Sequence, residues 1–194
     1  MSRRLAILAA LMVGAFAAPA AAQQAHRPDW WLEASGGYGY LRVGTAANEV
    51  QRAEGTSWYV RGGRQLSHNV SLGLEFTTFR GDKGAASAYV NGTHAIVVFN
   101  PWSRVPFFFS GGVGIADGRV KVSIPTSQIY DAKGTGVGLS FSAAYDLRVG
   151  RHLAITPSVQ TAIGALGDFH FSATQVADDV ISTAYQVGVG ITWR

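Results

Sequence analysis

The stretch Gly136 to Val149, GVGLSFSAAYDLRV, decides the fold. Val137, Leu139, Phe141, Ala143, Tyr145, Leu147 and Val149 alternate with Gly136, Gly138, Ser140, Ser142, Ala144, Asp146 and Arg148. The period is two, with one face apolar and the other tiny or polar, which is a strand with two unlike faces. The two glycines argue against a helix here, as do the 24 spread along the chain.

The same alternation recurs outward from this segment. It predicts eight strands, at about 30–42, 57–66, 70–80, 89–99, 105–116, 135–148, 152–165 and 183–193. The connections after strands two, four and six are short (67–69, 100–104 and 149–151). Those after one, three, five and seven are longer and more polar, the largest being Asp117 to Gly134 and Leu166 to Ser182. Short turns at one end and long loops at the other predict an all-β, eight-stranded antiparallel up-and-down transmembrane β-barrel, with both termini on the short-turn, periplasmic side.

Composition agrees. Of the 194 residues 47% are hydrophobic and only 14% charged, about half the charge share of a soluble surface. Without cysteine there is no disulfide, thiolate metal site or cysteine nucleophile. Arg3 and Arg4, the apolar run Leu5 to Ala18 and the small residues Ala20, Ala21 and Ala22 read as a secretory signal peptide over 1–22, leaving a barrel domain over 23–194. A spanning helix would need a longer, more apolar run than this alanine-rich one closed by Pro19. Removing the two arginines leaves 14 basic against 12 acidic residues, which removes any case for nucleic-acid binding.

Tyr185, Val187, Val189, Ile191 and Trp193 alternate to the end of the chain. This resembles the C-terminal strand by which bacterial outer-membrane barrels are recognised for insertion, although there the aromatic residue is usually last, and here Arg194 follows Trp193. Together with the strand and loop pattern, the mature chain resembles the small eight-stranded outer-membrane barrels of the OmpA membrane domain and OmpX kind. The resemblance implies a Gram-negative outer-membrane protein in contact with membrane lipid and lipopolysaccharide, inserted by the barrel assembly machinery through its last strand. What the loops bind is not implied.

A soluble eight-stranded barrel, lipocalin-like, shares strand number and period. It would carry Lys and Glu on its outward polar faces, whereas strand six offers Gly, Ser and Ala, and strand eight offers Ala184, Gln186, Gly188, Gly190 and Thr192, which suit a crowded lumen. An interfacial aromatic girdle is expected from Trp30, Trp102, Phe107 and Trp193 at the turn end and Tyr38, Tyr40, Trp58 and Tyr185 at the loop end.

Parity sends Glu33, Arg61 and Glu75 into the lumen at similar heights on strands one to three, where they are expected to form an ion-pair network. Asp146, Arg148, Gln160 and Gln186 are expected beside them as lumen polar residues. Strand four leaves parity open, because His94, Ile96 and Val98 alternate with Thr93, Ala95, Val97 and Phe99. One of Phe107, Phe108 and Phe109 must point inward, and Pro157 predicts a bulge or irregularity.

Other motifs have plainer readings. The glycines of Gly112 to Gly118 lack the following helix and spacing of a dinucleotide loop, and Asn91-Gly92-Thr93 lies within a strand rather than a glycosylated loop. The histidines at 26, 68, 94, 152 and 170 have no metal-ligand spacing, so no metal or cofactor is expected. His170-Phe171-Ser172 resembles the His-x-Ser pair of the outer-membrane lipid A deacylases. Their downstream Glu is missing, since Glu75 is the last glutamate, leaving Asp178 or Asp179 to orient the base. The expected role is therefore non-enzymatic, structural or surface-interacting through the long loops, with passage of small solutes as the alternative and the esterase third.

Overall fold

The computed structural model describes residues 30–44, 49–83, 86–102, 105–123, 129–171 and 174–194. They form β1 (Trp30–Gly44), β2 (Glu49–Gln65), β3 (Val70–Lys83), β4 (Ala86–Phe99), β5 (Phe107–Ser123), β6 (Ile129–Tyr145), the two-residue β7 (Leu147–Arg148), β8 (Leu153–Phe171) and β9 (Thr174–Trp193). Each strand pairs antiparallel with its chain neighbour, β6 also pairs with β8, and β1 pairs with β9. Because β7 continues β6 after a break at Asp146, the barrel has eight staves and is closed. Closure leaves no edge strand with unpaired backbone groups, the condition for crossing a bilayer with strands.

Following the ladder once round from Ala34 through Val60, Phe76, Thr93, Ile115, Val137 and Ala165 arrives at Ile181, whereas Ala34 itself faces Ile191. This ten-residue stagger over eight strands corresponds to a strand tilt of roughly 40°. The outward face carries exposed apolar residues on seven of the eight staves, Leu32, Leu74, Val97, Ile115, Phe141, Val159 and Ile191, and Trp58 on β2. Water does not favour such a surface and lipid does.

Several expectations change. The connections Asp117 to Gly134 and Leu166 to Ser182 are largely strand rather than loop, since β5 runs to Ser123, β6 starts at Ile129, β8 runs to Phe171 and β9 starts at Thr174. β2 likewise starts at Glu49, ahead of the expected 57. Polar side chains suit an extension into water, and a paired hairpin satisfies the backbone there as well as a loop in solvent would. Pro157 causes no bulge. It faces Val189 in unbroken register on β9, while on its other side the ladder lapses after Ala144 and Ser158 and resumes in the same register at Leu147 and Ile155. That lapse is the local irregularity expected at Pro157; register shifts lie between Val43 and Gly44 on β1 and between Ala165 and His170 on β8, where Gly167 adopts a positive φ of 64°, a conformation that suits glycine.

Strand four's parity is now fixed, with His94, Ile96 and Val98 buried inside and Thr93, Ala95, Val97 and Phe99 exposed. Of the three phenylalanines Phe108 points inward. The girdle residues Trp30, Tyr38, Tyr40, Trp58, Trp102, Tyr185 and Trp193 are all exposed. Phe107 is half-buried, packed edge-on against Phe109 and beside Trp102, and Tyr40 stacks on Tyr185 with ring centroids 4.9 Å apart.

Candidate functional site

Among the described residues charge is buried in the lumen alone, and the ladder builds it in sequence. Glu33 on β1 faces Arg61 on β2, Arg61 faces Glu75 on β3, and Glu75 faces His94 on β4. Four titratable groups on adjacent strands thus occupy one ladder row, each side chain at most 2% exposed. Arg61 is the hub. Its Nε donates to Glu33 Oε2 at 3.0 Å and its Nη2 to Glu33 Oε1 at 3.1 Å, a bidentate pair. Its Nη1 donates to Ser110 Oγ at 3.0 Å and Ser142 Oγ at 2.9 Å, and lies 3.6 Å from Glu75 Oε2. The guanidinium also lies over the rings of Tyr59 and Phe108, at 4.8 and 5.3 Å.

Around this hub the lumen faces of further strands contribute. The Tyr59 hydroxyl donates to Glu33 Oε1 at 2.6 Å and approaches Ser158 Oγ at 3.0 Å. Gln160 Nε2 donates to Glu75 Oε1 at 2.9 Å, and Gln186 Nε2 donates in turn to Gln160 Oε1. Seven strands are braced across the lumen in this way.

Asp146 lies nearer the turn end, buried at the break between β6 and β7. Its Oδ1 accepts from Thr156, which bonds Thr192, and its Oδ2 pairs with Arg194 Nη2 at 2.6 Å. Arg194 thus turns inward over Phe108 and closes that mouth. Arg148, expected in the lumen, is exposed instead. It keeps its register opposite Ala154 but sits on the two-residue β7 at the turn-end rim.

Above the charged row, Leu41, Val43, Phe79, Ala116, Leu166 and Val180 form an apolar cluster inside the hairpin end. The lumen is therefore filled in layers, with a polar lock at the turn end, the charged brace in the middle and an apolar plug above.

Tyr59, His94, Ser110, Ser142 and Arg194 were not singled out from the sequence. Parity places Tyr59 beside Arg61, but a tyrosine is equally at home in a girdle. His94 sat on the strand whose two faces are equally apolar. Ser172 of the His-x-Ser pair lies outside the described residues, as do the side chains of His170, Asp178 and Asp179. Among the described residues no group of three His, Asp or Glu side chains is placed to hold a metal.

The chain superposes on the attachment invasion locus protein Ail of Yersinia pestis, solved with the heparin analogue sucrose octasulfate, with a TM-score of 0.59 and 15% identity over 86% of this chain and all of that one. The two share the eight-stranded antiparallel barrel fold. Neisserial surface protein A is similar, with a TM-score of 0.55 and 12% identity over 86% of this chain and 97% of that one. At these identities the likeness concerns the fold. No protein-family model matches the barrel chain. Over 90 residues it is 32% identical to the minor capsid protein VP2 of Southampton virus, a match covering 46% of this chain and 43% of that protein. The barrel chain spans less than half the length of that relative, and the match assigns no family.

Proposed function

We propose that the chain is a non-enzymatic integral barrel of the Gram-negative outer membrane, exported by cleavage of residues 1–22, with the turn end periplasmic and its role exercised by the strand hairpins that project outside. The observation that carries this reading is the layered lumen. A barrel of eight strands has an interior just wide enough for side chains to fill, and here Arg194 with Asp146, the Arg61 brace and the apolar cluster around Leu166 fill it at three heights. A sealed barrel does its work at its surface.

The outward face past the aromatic girdle supports lipopolysaccharide as a partner. Arg42 stands directly opposite Arg52 and Arg119 opposite Lys133. Basic side chains on this outward face suit the phosphates of an outer-leaflet lipid. The alternation of β9 up to Trp193 supports recognition by the barrel assembly machinery.

Planar-bilayer recording of the refolded chain tests the sealed lumen. We expect no porin-sized conductance. Large, reproducible single-channel steps would overturn the reading in favour of solute passage.

A further inference from the structure

The charged row does not balance. Glu33 and Arg61 neutralise each other through their bidentate contact. Glu75 is left over, because Arg61 Nη1 spends its hydrogen bonds on Ser110 and Ser142 and stays 3.6 Å from the Glu75 carboxylate. The charged or titratable groups facing Glu75 and His94 among the described residues are Glu33 from β1 and Tyr59 and Arg61 from β2. The lumen faces of β5, β6, β8 and β9 supply at this height only uncharged residues such as Ser110, Ser142, Gln160 and Gln186. With a neutral imidazole the layer carries one negative charge in excess, inside a filled barrel surrounded by lipid. An uncompensated charge in such a place is strongly unfavourable.

Two further observations point to the same spot. Glu75 Oε2 and His94 Nδ1 are both buried without a hydrogen-bond partner, and Nδ1 lies 3.7 Å from the other oxygen of that carboxylate, Oε1. The imidazole is also held in place by absent side chains. A Cβ added at Gly92 would collide with His94 Cε1, and one at Gly138 would come within 2.8 Å of Nε2. The ladder row continues from His94 through Gly114, Gly138 and Gly164, and the bare backbone at Gly138, with that at Gly92, leaves the ring its room.

We propose that Glu75 and His94 form a buried binding site for a single proton, shared between carboxylate and imidazole, which brings the lumen brace to neutrality. The proton lies in the Nδ1 to carboxylate gap, as imidazolium beside carboxylate or as carboxylic acid beside imidazole. In both forms the proton lies between Nδ1 and Oε1, giving the orphaned nitrogen a partner and removing the net charge that makes Oε2 unfavourable to bury. In the unfolded chain a free glutamate gives up its proton near pH 4.3 and a free histidine near about 6.5. Above that range the folded barrel holds one more proton than the unfolded chain, so its stability must fall as pH rises. The site makes the brace the alkali-sensitive element of the barrel.

The test compares the full mature chain with Glu75→Gln, both refolded in detergent, by urea titration from pH 7 to 9. The wild type should lose about tenfold in its folding equilibrium constant per pH unit relative to the variant, the slope of one bound proton. Equal slopes would overturn the proposal. Spectroscopy of the refolded wild type gives a second, independent readout. At pH 8 either the His94 imidazole, assigned by comparison with His94→Gln, should show two protonated nitrogens by ¹⁵N NMR or a protonated-carboxyl band absent from Glu75→Gln should appear in the infrared. Absence of both signatures would refute the shared proton.

Discussion

Replacing Arg61 by methionine isolates the hub of the lumen. The substitution removes the bidentate bond to Glu33, the two serine contacts and the 3.6 Å approach to Glu75. Two carboxylates then flank the vacated position, one on each neighbouring strand, with neutral donors such as Tyr59 and Gln160 left to them. Breaking a buried ion pair by deleting one partner costs about 3–5 kcal/mol. At about 1.4 kcal/mol per power of ten this is a factor of about 10² to 10⁴ in the unfolding equilibrium. With a urea dependence of about 1–3 kcal/mol per molar, the midpoint should drop by at least about 1 M. The assay is urea unfolding of detergent-refolded protein, read by heat-modifiable gel migration and by tryptophan fluorescence. The triple variant Glu33→Leu, Arg61→Met, Glu75→Leu should recover most of the loss, since apolar replacements of similar size remove the stranded charges as well. An Arg61→Met barrel with the wild-type midpoint, or a triple variant weaker than the single one, would refute the account of the brace.

Arg194→Ala should destabilise the barrel by about 1.5–3 kcal/mol, the worth of a hydrogen bond to a charged group, by leaving buried Asp146 with only Thr156; the urea midpoint measures it. Gly138→Ala should cost about 1–3 kcal/mol by overpacking against His94 Nε2 and Ala116, whereas Gly36→Ala, where an added Cβ meets nothing within 4 Å, should be neutral or stabilising by up to about 1 kcal/mol. Mass spectrometry of membrane-isolated protein should find Gln23 as the first residue, following a signal peptide that ends at Ala22; an intact Met1 segment would contradict it.

Much of the fold was legible because a strand's faces are written locally. In Gly136 to Val149 the period of two assigns each side chain to one face without knowledge of any other strand. The same local rule carried Glu33, Arg61, Glu75, Asp146, Gln160 and Gln186 inward on their own strands. It failed at Arg148, which keeps its register opposite buried Ala154 but sits at the turn-end rim, where position along the strand rather than parity decides exposure. It was silent on His94, because an apolar lumen wall and an apolar lipid face ask for the same residues. The length of the hairpins was missed for a related reason: a polar strand in water and a polar loop share a composition, and only pairing tells them apart.

What the sequence by itself determined is therefore the period, the number of staves and, wherever the two faces differ in polarity, the side a residue takes, since these depend on neighbours along one chain. What the tertiary structure decided is who meets whom. The ten-residue stagger of the closed barrel sets which height on one strand faces which height across the lumen. It brings Ser110 and Ser142 to Arg61, Gln160 to Glu75 and Arg194 to Asp146 across separations of 49, 81, 85 and 48 residues. Those contacts depend on the closure of the ring, and closure is a property of all eight staves at once.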